Sequence, residues 1–466
     1  MIVNSHPFQA SGAAGDLFSH RQADHSCAVK NPSAKPDHAV RFSFRVENAR
    51  HIEKAYGGGI IHEAVRQLHL LLDEMVGANG LVTLVGEGCL DLLIEDVGVL
   101  GAGPLVSACQ AWLDSACSMV QRTTFGTSAG PVCLWLSGAW AIFPAGIATA
   151  PDAASATGVD GFRFTGDPVQ DNAQWERQYC KDMAVAARVC GLMAPRNFDQ
   201  SAEEWITLFW QAVRDPDDEK SVLYFEALAR FVSAKNGERS PGTIIECLER
   251  IGFSRTFDEY VFDLVLAELE RSPEPVIGVN VSAKSVAFDP WWEAVEQRLR
   301  SNPGVASRLV IEITETAALP SISLAAQFIS RMRRLGCRIA LDDFGVGFTS
   351  VQQLVALAPD IVKIDKFFMV RALRSARDVA VVVHLAGLAR AAGATVIAEG
   401  IETSLQADIA RRAQIDWQQG HIWGAATASR PWRTGCLRAV VWPNPPEAWS
   451  ALASQRGDAQ FGSGAA

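Results

Sequence analysis

Ionisable and amide side chains stand near the carboxyl ends of six apolar segments from residue 222 onward. In chain order these side chains are Glu226, Asn280, Glu312 with Glu315, Asp342 with Asp343, Lys363, and Glu399 with Glu402. Carboxylate and amide oxygens suit Mg²⁺ or Mn²⁺ better than Zn²⁺. Two adjacent aspartates allow one of them to bridge two ions, an arrangement used for in-line attack at phosphorus. Lys363 fits as a positive charge that holds or activates the attacking water.

Each of these residues also has an ordinary structural explanation when it is taken alone. Asn280 could form a turn, Glu312 could be an exposed strand position, and Lys363 could be a surface charge. Glu399 and Glu402 could start a helix, where the dipole favours carboxylates. The set as a whole favours a site, because independent surface charges would not recur at the same end of successive apolar strands.

The apolar segments predict the elements that position these side chains. Short apolar runs bounded by turn residues are typical of buried strands, and the stretches between them have helical composition. Eight strands with helical connections over about 240 residues match a (β/α)₈ TIM-like barrel, in which the strand ends converge on one face. We therefore predict an α/β fold with a barrel domain at residues 198–442. The strand candidates are residues 206–213, 222–231, 276–283, 308–315, 338–345, 360–365, 395–402 and, more weakly, 417–424.

A smaller α/β domain is predicted at residues 39–190. The segment RFSFRV favours a strand, Ile60 to Met75 has the apolar spacing of an amphipathic helix, and residues 81–96 read as a hairpin around Gly86 and Gly88. Helical patterns recur at Pro104 to Val120 and at Trp175 to Met193. Residues 1–38 and 443–466 have little periodic apolar pattern, so we expect a flexible N-terminal tail and a mobile C-terminal tail.

Composition and charge exclude several functional classes. The chain has 466 residues and a net charge of −10, which argues against a nucleic-acid partner or an anionic membrane surface. Its ten cysteines contain no CxxC pair, so we expect free thiols in a reducing cytoplasm. The uncharged run at residues 131–151 carries prolines and glycines and favours two strands over a membrane span. We expect a cytoplasmic protein.

The motifs of the barrel region, taken in order, resemble those of the EAL-domain phosphodiesterases, which hydrolyse cyclic di-GMP. The resemblance covers residues 205 to about 430. Its motifs are Glu226-Ala227-Leu228 followed by Arg230, Asn280-Val281-Ser282, Glu312 with Thr314 and Glu315, Asp342 to Gly345, Lys363 to Asp365, Ala398 to Thr403, and Gln419-Gly420.

This resemblance implies hydrolysis of cyclic di-GMP to linear 5′-pGpG with two Mg²⁺ or Mn²⁺ ions. The implied ligands of one ion are Glu226, Asn280, Glu312 and Asp342, and those of the other are Asp342, Asp343 and Glu399. Lys363 would contact the nucleophilic water, and Glu399 would act as a base or a metal partner. Glu315 would steady the loop after Asp343, which in the family also affects dimerisation, so a homodimer through the barrel is expected. The implied nucleotide-binding residues are Gln211, Leu228, Arg230 and Glu402. The family also suggests a role in biofilm and motility control.

The N-terminal domain resembles a degenerate GGDEF (diguanylate cyclase) domain. The resemblance rests on a strand, the sequence Tyr56-Gly-Gly-Gly59, a helix and a hairpin, but Gly86 to Leu90 replaces Gly-Gly-Asp-Glu-Phe. The family's metal-binding Asp falls on or near Arg45, and a guanidinium cannot bind Mg²⁺. We therefore expect no cyclase activity, and instead a regulatory role through docking, dimerisation or a protein partner.

Departures from the family pattern leave alternatives open. Val346, Phe348 and Thr349 stand where Thr, Tyr and Ser are commoner, and Val346 cannot hydrogen-bond through its side chain. A catalytically weak or inactive cyclic di-GMP receptor, or a protein-interaction module, is the main alternative to an enzyme. An unrelated Mg²⁺ barrel enzyme acting on a carboxylic acid would explain carboxylates and a lysine at strand ends, but not the order of the motifs.

Overall fold

Two β-sheets of unequal size, each packed with helices, organise the computed structural model of the chain. It describes residues 38–434 and 437–439, except for residues 87, 102, 145–165, 195–203, 219, 234, 236, 287–288, 315–318, 320 and 348–349. The predicted tails (apart from His38), the candidate residue Glu315 and the loop residues Phe348 and Thr349 lie outside the described residues.

The N-terminal region contains a four-stranded antiparallel sheet and confirms the elements expected there. Its strands are β1 (His38–Val46), β2 (Gly80–Gly86), β3 (Cys89–Ile94), β4 (Thr124–Thr127), β5 (Gly130–Cys133) and β6 (Leu136–Pro144). Its helices are α1 (Ala49–Tyr56), α2 (Gly58–Val76), α3 (Leu105–Gln121) and α4 (Ala173–Met193). The sheet order is β2-β3-β1-β6, while β4 and β5 form a separate hairpin. In β1 the residues Val40, Phe42, Phe44 and Val46 are buried in alternation, which directs one face of the strand into the core.

The larger sheet closes into an eight-stranded barrel. Its order is β10-β11-β12-β13-β14-β15-β7-β8, and a further pairing of β10 with β8 closes the ring. The strands are β7 (Glu204–Arg214), β8 (Ser221–Ser233), β10 (Ile277–Ser282), β11 (Leu309–Thr314), β12 (Arg338–Phe344), β13 (Ile361–Ile364), β14 (Thr395–Ala398) and β15 (Trp417–Gln418). The short strands β9 (Gly237–Arg239) and β16 (Arg438–Ala439) add to β8 outside the ring.

Helices connect the barrel strands, and sequence signals mark where several of them begin and end. The helices are α5 (Gly242–Arg250), α6 (Ser254–Arg271), α7 (Pro290–Ser301), α8 (Pro303–Ala306), α9 (Ile322–Leu335), α10 (Val351–Leu357), α11 (Lys366–Ala372), α12 (Ala376–Ala391) and α13 (Ser404–Arg412). Asp289 caps α7 ahead of a proline at the first helical position. Thr403 and Gln406 form a capping box on α13, and Gly336 ends α9 in the left-handed conformation.

Two strands differ from the expected parallel barrel. The strand β7 runs antiparallel to both of its neighbours, β8 and β15. Only residues 215–220 connect β7 to β8, and a parallel pair would need a crossover of about a dozen residues or more. The weak strand candidate at residues 417–424 shortens to Trp417–Gln418. Two residues after this strand the chain passes close to Ile401, whose backbone oxygen would lie 2.1 Å from a Cβ placed on Gly420.

The N-terminal region packs against the start of the barrel's helical layer. Asp182 on α4 is buried and accepts two hydrogen bonds from Arg250 of α5, at 2.8 and 2.9 Å. The ring of Trp135 meets that of Phe253 edge-on at 5.6 Å between centroids. Within the described residues, no helix is both long and apolar enough to cross a membrane.

Candidate active site

The barrel lumen is apolar at its floor and ionisable one layer higher. A cluster of buried side chains fills the floor, including Tyr224, Val310, Ala340, Ile361 and Ile397. Successive strand residues point to opposite faces, so the residue two positions later points into the lumen again. Those later residues are Glu226, Glu312, Asp342, Lys363 and Glu399. The alternation of each strand therefore explains why the predicted side chains converge.

Lys363 lies at the centre of this layer and has no exposed surface. Its ammonium nitrogen lies within ion-pair distance of four carboxylates, those of Glu312 (2.6 Å), Glu399 (2.7 Å), Asp342 (3.1 Å) and Glu226 (3.2 Å). An ammonium has only three N–H donors and a single positive charge. It therefore cannot neutralise or hydrogen-bond all four groups.

Glycine at position 278 makes room for one of the four carboxylates. A Cβ at Gly278 would lie 2.0 Å from Oε1 of Glu312 and 2.6 Å from a ring carbon of Tyr224. Any larger residue on this part of β10 would displace the Glu312 carboxylate from the lumen. The glycine is thus part of the way the barrel accommodates its buried acids.

Burial and neighbouring charges shift the pKa values of the side chains in this layer. Burial raises the pKa of Glu312 to about 8, although Lys363 opposes the shift, while Glu226 and Asp342 add to it. Burial and the neighbouring Asp342 also raise the pKa of Glu399 well above its usual value. Burial alone would lower the pKa of Lys363, but the surrounding carboxylates raise it well above the usual lysine value. The lysine is therefore a permanent cation, and Glu312 and Glu399 beside it resist ionisation without further positive charge.

Glu226 is the best-satisfied acid of the layer. Its carboxylate accepts hydrogen bonds from Nδ2 of Asn280 at 2.7 Å and from Nε2 of Gln419 at 2.5 Å. Burial opposes ionisation, but Lys363 and these two amides outweigh it and lower the pKa of Glu226. Glu226 is thus the acid most readily ionised in the absence of metal.

Several buried oxygens of the layer lack a well-formed hydrogen bond. Oδ1 of Asn280, Oε1 of Glu312 and Oε1 of Gln419 have none, and Oε2 of Glu312 and Oδ1 of Asp342 share the Lys363 ammonium with the other carboxylates. Buried acceptors without donors are costly unless a cation satisfies them. Two groups of acids hold ligand atoms within 4.8 Å of one another: Glu226, Glu312 and Asp342, and then Asp342, Asp343 and Glu399. Asp342 belongs to both groups, so the donor set fits two neighbouring divalent cations.

The loop after Asp342 is strained where it leaves the strand. Asp343 has a φ of 54°, in the left-handed region that non-glycine residues rarely adopt. Burial and the charges of Asp342 and Asp365 raise its pKa to about 7. Gly345 is also left-handed, and a Cβ there would lie 2.8 Å from the Phe368 ring. Val346 is 46% exposed.

The predicted nucleotide-binding residues lie at or near this end of the barrel. Gln211 faces Glu226 across the β7–β8 ladder and donates to the backbone oxygen of Gly424 at 3.3 Å. Leu228 and Arg230 follow Glu226 on β8, and the Arg230 guanidinium lies 5.8 Å from the centre of the Phe209 ring. Glu402 is exposed in the loop before α13. Their binding roles stay predictions, as does that of Glu315.

Sequence reasoning omitted Gln419 from the site, although its motif was recognised. Its amide bonds Glu226 and also approaches Oε1 of Gln211, at 3.5 Å. The available signal was its position, because Gln419 directly follows the last strand of the barrel as the other site residues follow theirs.

Comparisons with known proteins concern mainly the barrel. A family model described as EAL domain matches residues 196–426. Cyclic di-GMP phosphodiesterase PdeF of Escherichia coli is 28% identical over 206 residues, which are 43% of this chain and 28% of PdeF. The bifunctional diguanylate cyclase/cyclic di-GMP phosphodiesterase MucR of Pseudomonas aeruginosa is 27% identical over 204 residues, 43% of this chain and 30% of MucR. A solved structure of the MucR phosphodiesterase in complex with c-di-GMP is 25% identical, with a TM-score of 0.43, and the match covers 48% of this chain and 92% of that one. This chain thus spans less than a third of each of these two curated relatives.

Proposed function

Because residues 196–426 form an EAL domain, we propose that the chain is a metal-dependent phosphodiesterase that hydrolyses cyclic di-GMP to linear 5′-pGpG. The observation that carries this proposal is the pair of carboxylate groups that share Asp342 around the buried Lys363. By lowering the concentration of this bacterial second messenger, the chain would act in signal transduction of the kind that governs biofilm and motility.

The metal ligands follow from the donor set. Glu226, Asn280, Glu312 and Asp342 would hold one ion, and Asp342, Asp343 and Glu399 would hold the other; the all-oxygen donors favour Mg²⁺ or Mn²⁺. When bound, such ions supply an activated water and stabilise charge on the phosphoryl oxygens.

The side chains of the barrel bind and orient the reacting groups. Lys363 keeps its proton at neutral pH and serves as a fixed cation that contacts the nucleophilic water, not as a base. Glu399, 2.7 Å from that ammonium, accepts a proton from the water or completes the metal set. Gln211, Leu228, Arg230 and Glu402 would hold the nucleotide, and Glu315 would steady the loop after Asp343.

The test is a hydrolysis assay with matched lysine variants. The purified full chain is incubated with cyclic di-GMP and Mn²⁺ or Mg²⁺, and the products are separated by chromatography. We expect 5′-pGpG from the unaltered chain, none from Lys363→Met or Glu226→Gln, and normal amounts from Lys366→Met, which alters an exposed lysine on α11. Binding of cyclic di-GMP without any hydrolysis by the unaltered chain would instead support a receptor.

We also propose a homodimer formed through the barrel. Exposed apolar side chains recur on α10 and α11 and on the loop before them, at Val346, Val351, Val355, Phe367 and Val370. Apolar surface of this kind is typical of protein interfaces. Light scattering on the full chain should give twice the monomer mass. The double variant Val351→Asp, Val355→Asp should give the monomer mass.

Residues 39–190 are proposed to form a degenerate GGDEF-like domain that regulates the barrel domain at 198–442 by docking or by binding a protein partner. The Asp182–Arg250 pair and the Trp135–Phe253 contact support docking. A cytoplasmic location is proposed as well, because the eight described cysteines are all free thiols. If GTP raised the phosphodiesterase activity, regulation of the barrel by docking or by a protein partner would be the wrong assignment for the N-terminal region.

A further inference from the structure

The strand that carries Asn280 loses its backbone partner on one side before it ends. β10 pairs with β11 along its whole length, from Ile277 to Ser282. On its other side it pairs with β8 only as far as Val279. The last three residues of β10, including Asn280, are therefore held by the sheet from one side alone.

The alternation of the strand shows which backbone groups lose a partner. The N–H of Ile277 donates to the backbone oxygen of Arg308 at 2.9 Å, so the odd-numbered residues of β10 direct their N–H groups towards β11. The even-numbered residues direct theirs towards β8. The N–H of Ser282 therefore points to the side from which β8 has departed.

A carboxylate on α6 replaces the missing strand at this point. Oδ2 of Asp258 accepts the backbone N–H of Ser282 at 3.0 Å and the hydroxyl of Ser285 at 2.6 Å. One turn earlier on the same helix, the buried Arg255 donates to the backbone oxygen of Ser285 at 2.7 Å and to Asp289 at 2.5 Å. The first turns of α6 thus clamp the segment that follows Asn280.

We propose that Asp258 is a positioning residue for the metal ligand Asn280, holding the end of β10 so that the Asn280 amide oxygen faces the acidic layer. This inference rests on the proposed metal-dependent function. The orientation of the Asn280 amide matters because its Nδ2 donates to Glu226, while its buried Oδ1 accepts no hydrogen bond. A small shift of the β10 backbone would redirect that oxygen away from the cation.

The same helix also contacts the N-terminal region through its charged side chains. Glu259, next to Asp258, accepts from Arg255 at 3.1 Å and from Arg122 at 3.3 Å. Arg122 directly follows α3 in the N-terminal region. The clamp on β10 is therefore in contact with the N-terminal region through a continuous chain of charged groups.

The test measures metal affinity and not only activity. Mn²⁺ alone is titrated calorimetrically into the full chain, the Asp258→Ala variant and the Asp258→Asn variant. For Asp258→Ala we expect a dissociation constant raised about 10-fold, at the low end of the 10–100-fold loss typical for outer partners of metal ligands. Saturating Mn²⁺ should then restore most of the hydrolysis rate. Asp258→Asn keeps an acceptor oxygen in place and should bind Mn²⁺ nearly as the unaltered chain does.

A matched control separates positioning from loss of stability. Glu268 lies near the other end of α6, where it is buried and accepts bonds from Ser272 and Arg430. Glu268→Ala should lower the melting temperature but leave the Mn²⁺ affinity unchanged. The Ser285→Ala variant removes one of the two bonds to Asp258 and offers a milder test if Asp258→Ala does not fold; it should weaken Mn²⁺ binding less.

The possible outcomes distinguish this inference from the proposed function. An unchanged Mn²⁺ affinity in Asp258→Ala and Ser285→Ala would overturn the positioning role, whether or not the chain hydrolyses cyclic di-GMP. Weakened Mn²⁺ binding with no hydrolysis by the unaltered chain would support the positioning role and remove the proposed activity. Absence of Mn²⁺ binding by the unaltered chain would overturn both.

Discussion

Two asparagines, the buried Asn48 in the N-terminal region and the partly buried Asn280 in the barrel, use their amides differently. Asn48, in the N-terminal region, donates to the backbone oxygen of Cys133 at 3.0 Å and accepts from the backbone N–H of Trp135 at 2.9 Å. Asn280, in the barrel, donates to Glu226 but leaves its oxygen without a donor. Buried amides are normally satisfied, so an unused acceptor is a cost that a structural role does not explain. The difference marks Asn48 as a residue of the fold and Asn280 as a residue of the site.

The acids of the two regions differ in the same way. Asp91 on β3 is paired with Arg41 on the neighbouring strand β1. Glu312 shares the single Lys363 ammonium with three other carboxylates, its buried Oε1 has no hydrogen bond, and burial raises its pKa. Among the described residues, both acid groups that could hold a metal lie in the barrel. Arg45, which lies at or near the position where the sequence predicts a degenerate cyclase metal site, is opposite Cys89 in the sheet.

The largest effect is expected at Lys363. Replacing it by Met leaves four carboxylates without their buried cation, and removing one partner of a buried ion pair costs about 3–5 kcal/mol. We expect a loss of this order in the free energy of unfolding in EDTA, and a smaller loss in Mn²⁺, which would replace the missing charge. Urea denaturation in the two conditions measures both, and equal losses would show that no cation enters the acidic layer.

Asn280→Ala should separate activity from stability. The variant removes one hydrogen bond to the buried Glu226, which keeps Gln419 and Lys363 as partners, so the stability cost should be about 1–3 kcal/mol. Hydrolysis of cyclic di-GMP at limiting Mn²⁺ should fall about 10–100-fold, because a metal ligand is lost. Initial rates over a series of Mn²⁺ concentrations provide the measurement. A variant with an unaltered Mn²⁺ dependence would remove Asn280 from the metal set.

Asn48→Ala should show the reverse pattern. It leaves a buried carbonyl and a buried N–H without partners, which costs about 1–3 kcal/mol for each unsatisfied group. The kcat for cyclic di-GMP should remain that of the unaltered chain at a temperature where both proteins are folded. Thermal unfolding and steady-state kinetics on the same preparations test this. A large fall in kcat would mean that Asn48 has a role beyond the fold.

The layer of acids could be predicted from the sequence because successive side chains of a strand point to opposite faces. The period of two residues and the short apolar runs place Glu312, Asp342 and Lys363 on the lumen side once their strands are recognised. The EAL-type barrel and the N-terminal elements are confirmed for the same reason. Metal-ligand and nucleotide-binding roles stay predictions.

The remaining features depend on connections and contacts that the alternation of side chains along a strand does not encode. The direction of β7 is set by the short connection at residues 215–220, and the run of apolar residues in β7 does not encode it. Asp258 lies on a helix outside the motifs, and only the early departure of β8 from β10 gives it a partner there. The left-handed φ of Asp343 is likewise not encoded by the strand period, although Asp adopts this conformation more often than most other non-glycine residues.

The smallest change in stability is expected at Asp114, an acid of the N-terminal region. No cation is among the groups that shift its pKa. Burial raises the pKa of Asp114 to about 6, with the nearby Asp289 and Glu293 adding to the shift and a hydrogen bond from Gln110 opposing it. Because the pKa is higher in the folded state, the stabilising contribution is complete below the unfolded pKa near 3.8 and is lost as the pH rises through about 6. Asp114→Asn should therefore be more stable than the unaltered chain at pH 7.5, with a melting temperature about 1–2 °C higher for this partly exposed group. At pH 5 the gain in melting temperature should be smaller.

Asp91→Asn is the matched control, since it breaks the pair with Arg41 and should lower the melting temperature at pH 7.5. If both variants shifted the melting temperature in the same direction, pairing with a cation would not be what distinguishes Asp91 from Asp114.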